Sequence, residues 1–85
     1  MPVGEIDIVA RRGGTLVMVE VKARPDLATA AESLSRRQQD RIARAAAAFL
    51  KVRPGCGGLD VRFDVMLVRP WRPAVHLTDA WRPSN

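Results

Sequence analysis

Two apolar, alternating runs separated by a glycine pair dominate the N-terminal third of the chain. The first reads Gly4-Glu5-Ile6-Asp7-Ile8-Val9-Ala10 and the second Thr15-Leu16-Val17-Met18-Val19-Glu20-Val21-Lys22-Ala23, with Arg11-Arg12-Gly13-Gly14 between them. A Gly-Gly pair between alternating runs is a strong hairpin signal, because tight hairpin turns need positive φ. With Gly13 and Gly14 as the turn, opposed residue numbers sum to 27, so Asp7 faces Glu20 and Glu5 faces Lys22. Residues two apart share a face of a strand. Ile6, Ile8, Val17, Val19 and Val21 therefore form an apolar face expected in the core. Glu5, Asp7, Glu20 and Lys22 share the other face with Val9 and Met18.

Arg24-Pro25-Asp26 breaks the second strand, and residues 24–34 read as a connection with room for a short helical turn. Ser35 fits an N-cap, and Gln38 three residues on completes a capping-box pattern. Ile42, Ala45, Ala46, Phe49 and Leu50 recur at helical spacing and predict a long helix to about Val52, ended by Arg53-Pro54-Gly55. Its alanines permit close approach to a sheet at little entropic cost. Arg62 to Val68 is a very apolar strand expected at the sheet centre. Asp64 is the odd charge within it and reads either as a group supporting the candidate site from behind its ligands or, the favoured reading, as an end-of-strand partner of Arg62 or Arg69. Pro70-Trp71-Arg72-Pro73 reads as a turn, and residues 74–78 as an edge-like strand with His76 on its more polar face. Trp71 and Trp81, both near prolines, read as seals on the core edges rather than base-stacking residues. The fold class is α/β: a mixed central sheet of about four strands with one long packed helix, in a single domain over residues 1–85.

Composition narrows this picture only in places. Eighty-five residues allow one domain, and a chain this short hides only about 60% of its unfolded surface. An exposed edge strand would invite pairing with another chain, so a homodimer is one expectation. An apolar fraction of 47% with clear periodicity argues against disorder. The net charge is +5, carried by twelve arginines and two lysines. Arginine suits phosphate, since its planar guanidinium binds two oxygens at once. A GC-rich coding sequence would produce the same excess, so basicity is compatible with nucleic acid without establishing it. The single cysteine, Cys56, rules out an intramolecular disulfide and a cysteine-based metal site. No apolar run reaches the roughly 18 residues of a membrane span, and no signal-peptide pattern opens the chain. No membrane partner and a cytoplasmic location are the expectations.

The chemistry concentrates at the hairpin. Two directly opposed carboxylates destabilise a strand pair, and Lys22 or a bound divalent cation would resolve the conflict. Mg²⁺ is commonly held by one or two carboxylates with water and substrate phosphate. A lysine two residues along could polarise a bound water or stabilise charge on a phosphate. This is a phosphodiesterase pattern, not a zinc or thiol one. The plain alternative is a solvated hairpin face with an ordinary Glu5–Lys22 cross-strand pair. Arg37, Arg41 and Arg44 fall on one flank of the long helix, with Arg36 nearby. They read either as a row gripping DNA phosphates or as a solvated helix face.

Gly4-Glu5-Ile6-Asp7, the glycine turn, and Val19-Glu20-Val21-Lys22-Ala23-Arg24 together resemble the YraN-like family of bacterial proteins. The resemblance continues through the long helix, Arg62-Phe63-Asp64-Val65 and the ending His76-Leu77-Thr78-Asp79-Ala80-Trp81, nearly the whole chain. That family is similar to a branch of the PD-(D/E)XK nuclease superfamily, close to archaeal Holliday-junction resolvases. The resemblance implies a restriction-endonuclease-like core, with Asp7, Glu20 and the Val21 carbonyl as ligands of Mg²⁺ or Mn²⁺ and Lys22 as the catalytic lysine. Glu5 would assist from the same face, and Gln39 matches a glutamine that superfamily helices place near the site. In relatives a helix and a strand precede this segment, the helix supplying a further acid. The chain opens at Met1-Pro2-Val3, so the core is expected to be N-terminally incomplete, whether as a fragment, through a misplaced start or by true lack of the element. The expected function is a Mg²⁺- or Mn²⁺-dependent endonuclease acting on DNA, in branched or flapped form. The alternatives are a non-catalytic nucleic-acid-binding module of the same fold and a structural or interaction domain.

Overall fold

The computed structural model describes residues 6–83. It is a mixed α/β fold with a four-stranded sheet and one main helix. Strand β1 (Ile8–Arg12) and strand β2 (Thr15–Ala23) form the hairpin. Gly13 turns the chain at φ +58°, a conformation open to glycine at no steric cost. The register is the one expected, Ile8 opposite Val19 and Arg12 opposite Thr15. The Gly14 carbonyl also accepts the Asp60 N–H at 2.9 Å, tying the turn to the start of strand β3 (Asp60–Val68).

From β2 the chain passes through a short helix α1 (Leu27–Glu32), the long helix α2 (Arg36–Lys51) and a 3₁₀ turn at Pro54–Cys56, then returns in β3 parallel to β2. A parallel pair needs such a crossover. Strand β4 (Val75–Trp81) closes the sheet antiparallel to β3, giving the order β1-β2-β3-β4. β3 is thus central, as its apolar run predicts. The Ser35 hydroxyl caps α2 by accepting the Gln38 N–H at 3.1 Å.

The core lies between α2 and one sheet face. Ile42, Ala46 and Phe49 of the helix pack with Leu16 and Met18 of β2 and Phe63 and Val65 of β3. This corrects the expected core face of the hairpin. The helix covers the face bearing Val9, Leu16 and Met18, which is also the face of Glu20 and Lys22. Ile8, assigned to the core, is more than a third exposed, whereas Val17 and Val19 on its side are buried. The cause is that β2 lies inside the sheet and is apolar on both faces, as central strands in mixed sheets are. Ile6 joins the helix-side cluster because the chain bends at Asp7 and breaks the alternation.

β4 is longer than expected because two extra residues bulge out of its pairing with β3. Phe63 pairs with Trp81 and Val65 with Leu77, and Asp79 takes φ +50° between them. Trp81 stacks on Phe63 with ring centroids 4.3 Å apart and so seals a core edge, as expected. Trp71 does not. It is fully exposed at φ +61° in the turn between Pro70 and Pro73, which carries it off the sheet. Among the described residues no helix is long and apolar enough to cross a membrane.

Candidate active site

Alternation along β2 places Glu20 and Lys22 side by side, and the first turn of α2 lies over them. Both are only 8% exposed. Lys22 Nζ stands 3.6 Å from Glu20 Oε1. Gln38 joins the pair: its amide oxygen accepts from Lys22 Nζ at 3.3 Å and its amide nitrogen donates to Glu20 Oε1 at 3.4 Å. Glu20 Oε2 is buried with no hydrogen-bond partner. Burial pushes the Glu20 carboxyl above its usual range, and the neighbouring negative charge of Asp7 adds to the rise. Lys22 opposes both without overcoming them.

Asp7 approaches from the bend ahead of β1. Its Oδ2 accepts the Val21 N–H at 2.8 Å, standing in for a strand neighbour where β1 stops pairing. The N–H and C=O of one strand residue point to the same side, so the Val21 carbonyl turns toward the edge that Asp7 occupies. The Asp7 carboxyl is near enough for its negative charge to raise the Glu20 pKa. The structure thus brings Asp7, Glu20, Val21 and Lys22 together. Glu5 lies outside the described residues.

Gln39 does not reach this site. Its amide donates to the Leu34 carbonyl at 3.3 Å, beside the helix start. The glutamine at the carboxylates is Gln38, one residue earlier, which sequence reasoning assigned to helix capping. Half of that capping box forms, through the Gln38 N–H. The side chain instead reaches down to β2, where a buried acid and a buried ammonium both need partners. Arg36, Arg37, Arg41 and Arg44 are all exposed on α2, and Arg36 pairs with Asp40 at 3.7 Å.

The donors suit a hard cation. Two carboxylates and a backbone carbonyl offer only oxygen, as Mg²⁺ and Mn²⁺ prefer. The orphaned Glu20 oxygen next to a second carboxylate is the arrangement a bound cation would satisfy. Among the described residues no group of three or more His, Cys, Asp or Glu side chains is placed to hold a metal.

A second polar cluster occupies the other face of the sheet. Asp64 is fully buried on β3. Its carboxylate accepts from Arg62 Nε at 2.8 Å, Arg62 Nη2 at 2.9 Å, His76 Nε2 at 2.6 Å and the Asp79 N–H at 2.9 Å. Burial alone would raise its pKa, yet these bonds together hold it below the usual range. The pairing with Arg62 follows expectation; His76 joins from its regular place opposite Met66, on the Asp64 face, and the Asp79 N–H from the β4 bulge.

The fold is a four-stranded α/β sheet whose inner strand presents a buried acid and lysine beside a second carboxylate. The chain belongs to the uncharacterised protein family UPF0102, whose profile matches residues 1–68. It is 56% identical over 79 residues to a UPF0102 protein of Paramagnetospirillum magneticum, covering 93% of this chain and 61% of that protein. It is equally similar, at 56% over 82 residues, to one of Parvibaculum lavamentivorans, covering 96% and 62%. A third, from Nitrobacter winogradskyi, is 49% identical over 84 residues, covering 99% and 71%. The chain therefore spans about three fifths of the length of the first two relatives.

Proposed function

We propose that this domain carries the catalytic site of a Mg²⁺- or Mn²⁺-dependent endonuclease of the PD-(D/E)XK kind, hydrolysing phosphodiester bonds in DNA. The observation that carries the reading is the buried, unpartnered Oε2 of Glu20 beside the Asp7 carboxyl, with Lys22 at 3.6 Å from the other oxygen. Asp7, Glu20 and the Val21 carbonyl would hold the cation, which when bound supplies charge neutralisation at phosphate and a more acidic water. Asp7 also fixes the β2 backbone through the Val21 N–H. Lys22 has donors and no acceptor, so it stays off the cation and directs its charge at phosphate oxygens as negative charge develops. Gln38 keeps the Lys22 ammonium and the Glu20 carboxylate apart from bulk water and mutually aligned.

The test is cleavage of end-labelled linear, flapped and four-way-branched DNA with Mn²⁺ or with chelator. Cutting that needs the cation and disappears in Asp7→Asn is the expected result. Binding without cutting of any of these substrates would sink the enzyme reading. A non-catalytic DNA-binding module would then remain.

A further inference from the structure

The parallel strands β2 and β3 end together, with Ala23 opposite Val68. Beyond that end opens a cleft of about 380 Å³ lined by Ala23, Arg24, Pro25, Val68, Arg69, Pro70 and Arg72. It carries three arginines and no carboxylate. A second cleft, at the opposite end of the same strands, also holds arginines, Arg62 and Arg82. Those two are neutralised by ion pairs to Asp64 and Asp79, each at 2.8 Å. In the first cleft Arg24 bonds the Ala23 carbonyl, at 2.8 Å, and no carboxylate among the described residues. Arg69 Nε is buried with no partner, and a buried N–H calls for an acceptor.

Trp71 stands between two of the lining residues, Pro70 and Arg72. It is fully exposed, and its φ of +61° is one that bulky residues rarely adopt. Two prolines restrict the turn around it, and the ring stands in solvent between Pro70 and Arg72, which line the cleft. A basic groove with an aromatic platform is how single strands are gripped, the ring stacking on a base and the cations tracking the backbone. A duplex offers no free base face to such a ring. The cleft also begins at Ala23, directly after Lys22, roughly 10 Å along the strand from Glu20 at about 3.3 Å per residue.

We propose that Trp71 and the Arg24–Arg69–Arg72 cleft form a docking site for a single-stranded DNA segment, Trp71 stacking on one base and the arginines taking adjacent phosphates. The choice of DNA rests on the nuclease reading and names its substrate as one with an unpaired segment beside the cut. The stacking itself is tested without cleavage.

Intrinsic tryptophan fluorescence and the anisotropy of labelled DNA are followed in chelator, with oligothymidylate of about twelve nucleotides and a duplex of the same length. The wild type should bind the single strand more tightly than the duplex, with quenching. Trp71→Ala should abolish the quenching and weaken single-strand binding by about fivefold or more, leaving duplex binding unchanged. Arg69→Gln with Arg72→Gln should flatten the salt dependence by about one and a half log units per log unit of salt. Trp71 and Arg72 are exposed, so folding is expected to survive, and circular dichroism checks it. Unchanged single-strand affinity in Trp71→Ala overturns the proposal. So does Trp71-dependent binding to anionic phosphatidylglycerol vesicles or to polyglutamate in place of DNA. Trp71-dependent binding in a protein that never cuts with Mn²⁺ upholds this site and removes the nuclease reading. Cutting that persists while Trp71→Ala changes no affinity does the reverse.

Discussion

Glu20→Gln should erase stabilisation by Mn²⁺, and the wild-type effect should depend on pH in a direction the structure fixes. The Glu20 carboxyl is pushed above its usual 4.5, first by burial and then by Asp7. The folded state therefore holds this proton more tightly than the unfolded chain does. In the metal-free protein that contribution to stability is present below about 4.5 and is lost as pH rises through the folded value. A cation acts in the opposite sense, because it binds the ionised carboxylate and grows more effective as that same proton leaves. At free Mn²⁺ a hundredfold above its dissociation constant, the gain is about 2.7 kcal/mol. For a domain of this size 1 kcal/mol moves the melting temperature by about 4–8 °C, so a rise of roughly 10–20 °C is expected near neutral pH. The rise should shrink as pH falls through the raised folded value of Glu20, and in Glu20→Gln it should be near zero throughout. Thermal melts by circular dichroism, with and without Mn²⁺ across that range, measure it. An equal Mn²⁺ shift in the variant, or a wild-type shift indifferent to pH, would refute the reasoning.

Lys22→Met should keep the Mn²⁺ melting shift and lower the cleavage rate by around a hundredfold or more, since an ammonium cannot ligate the cation; single-turnover assays report it, and cutting at full rate removes Lys22 from the mechanism. Arg37→Glu with Arg41→Glu should weaken binding to every DNA sequence alike and lessen its salt dependence, read by anisotropy titration; unchanged binding would leave these exposed residues as a solvated helix face. Asp64→Asn should cost about 1–3 kcal/mol in urea unfolding, because a neutral amide cannot accept all four of the donors that the fully buried carboxylate takes. Wild-type stability from Asp64 should be present above about 3.8 and lost as pH falls through its lowered folded value, with acid titration of the urea midpoint as the check.

The hairpin was legible because the turn fixes the register. Two glycines between alternating runs leave one simple pairing, and it holds from Arg12–Thr15 to Ile8–Val19. The helix face was legible for a similar reason, since Ile42, Ala46 and Phe49 can be buried together on only one side. The core face of β2 was not. Valines alternate with leucine and methionine there, so period-two patterning offers two apolar faces and no means of choosing between them. The choice depends on which side α2 returns to, a tertiary fact. Gln38 and Gln39 were confused for the same reason: a capping pattern describes one turn of helix and is blind to the strand passing beneath it. The bulge that sends the Asp79 N–H to Asp64 has no glycine or proline to announce it, and Asp79 itself takes the positive φ.

Asp64 and Glu20 make the functional case jointly. Both are carboxylates taken from water on adjacent inner strands, and both meet the same opposition from burial. Around Asp64 the chain supplies four donors, and the carboxyl ends below its usual range. Around Glu20 it supplies a weak amide bond and one ammonium at 3.6 Å, sets a second negative charge alongside, and leaves an oxygen bare. A fold able to satisfy one buried acid so fully has the means to satisfy the other. An acid that serves only the fold gains nothing from a like charge beside it, whereas one that receives a cation needs both the spare oxygen and the second carboxylate. The unfavourable electrostatics of Glu20 are therefore the feature that most strongly supports a metal-dependent site on β2.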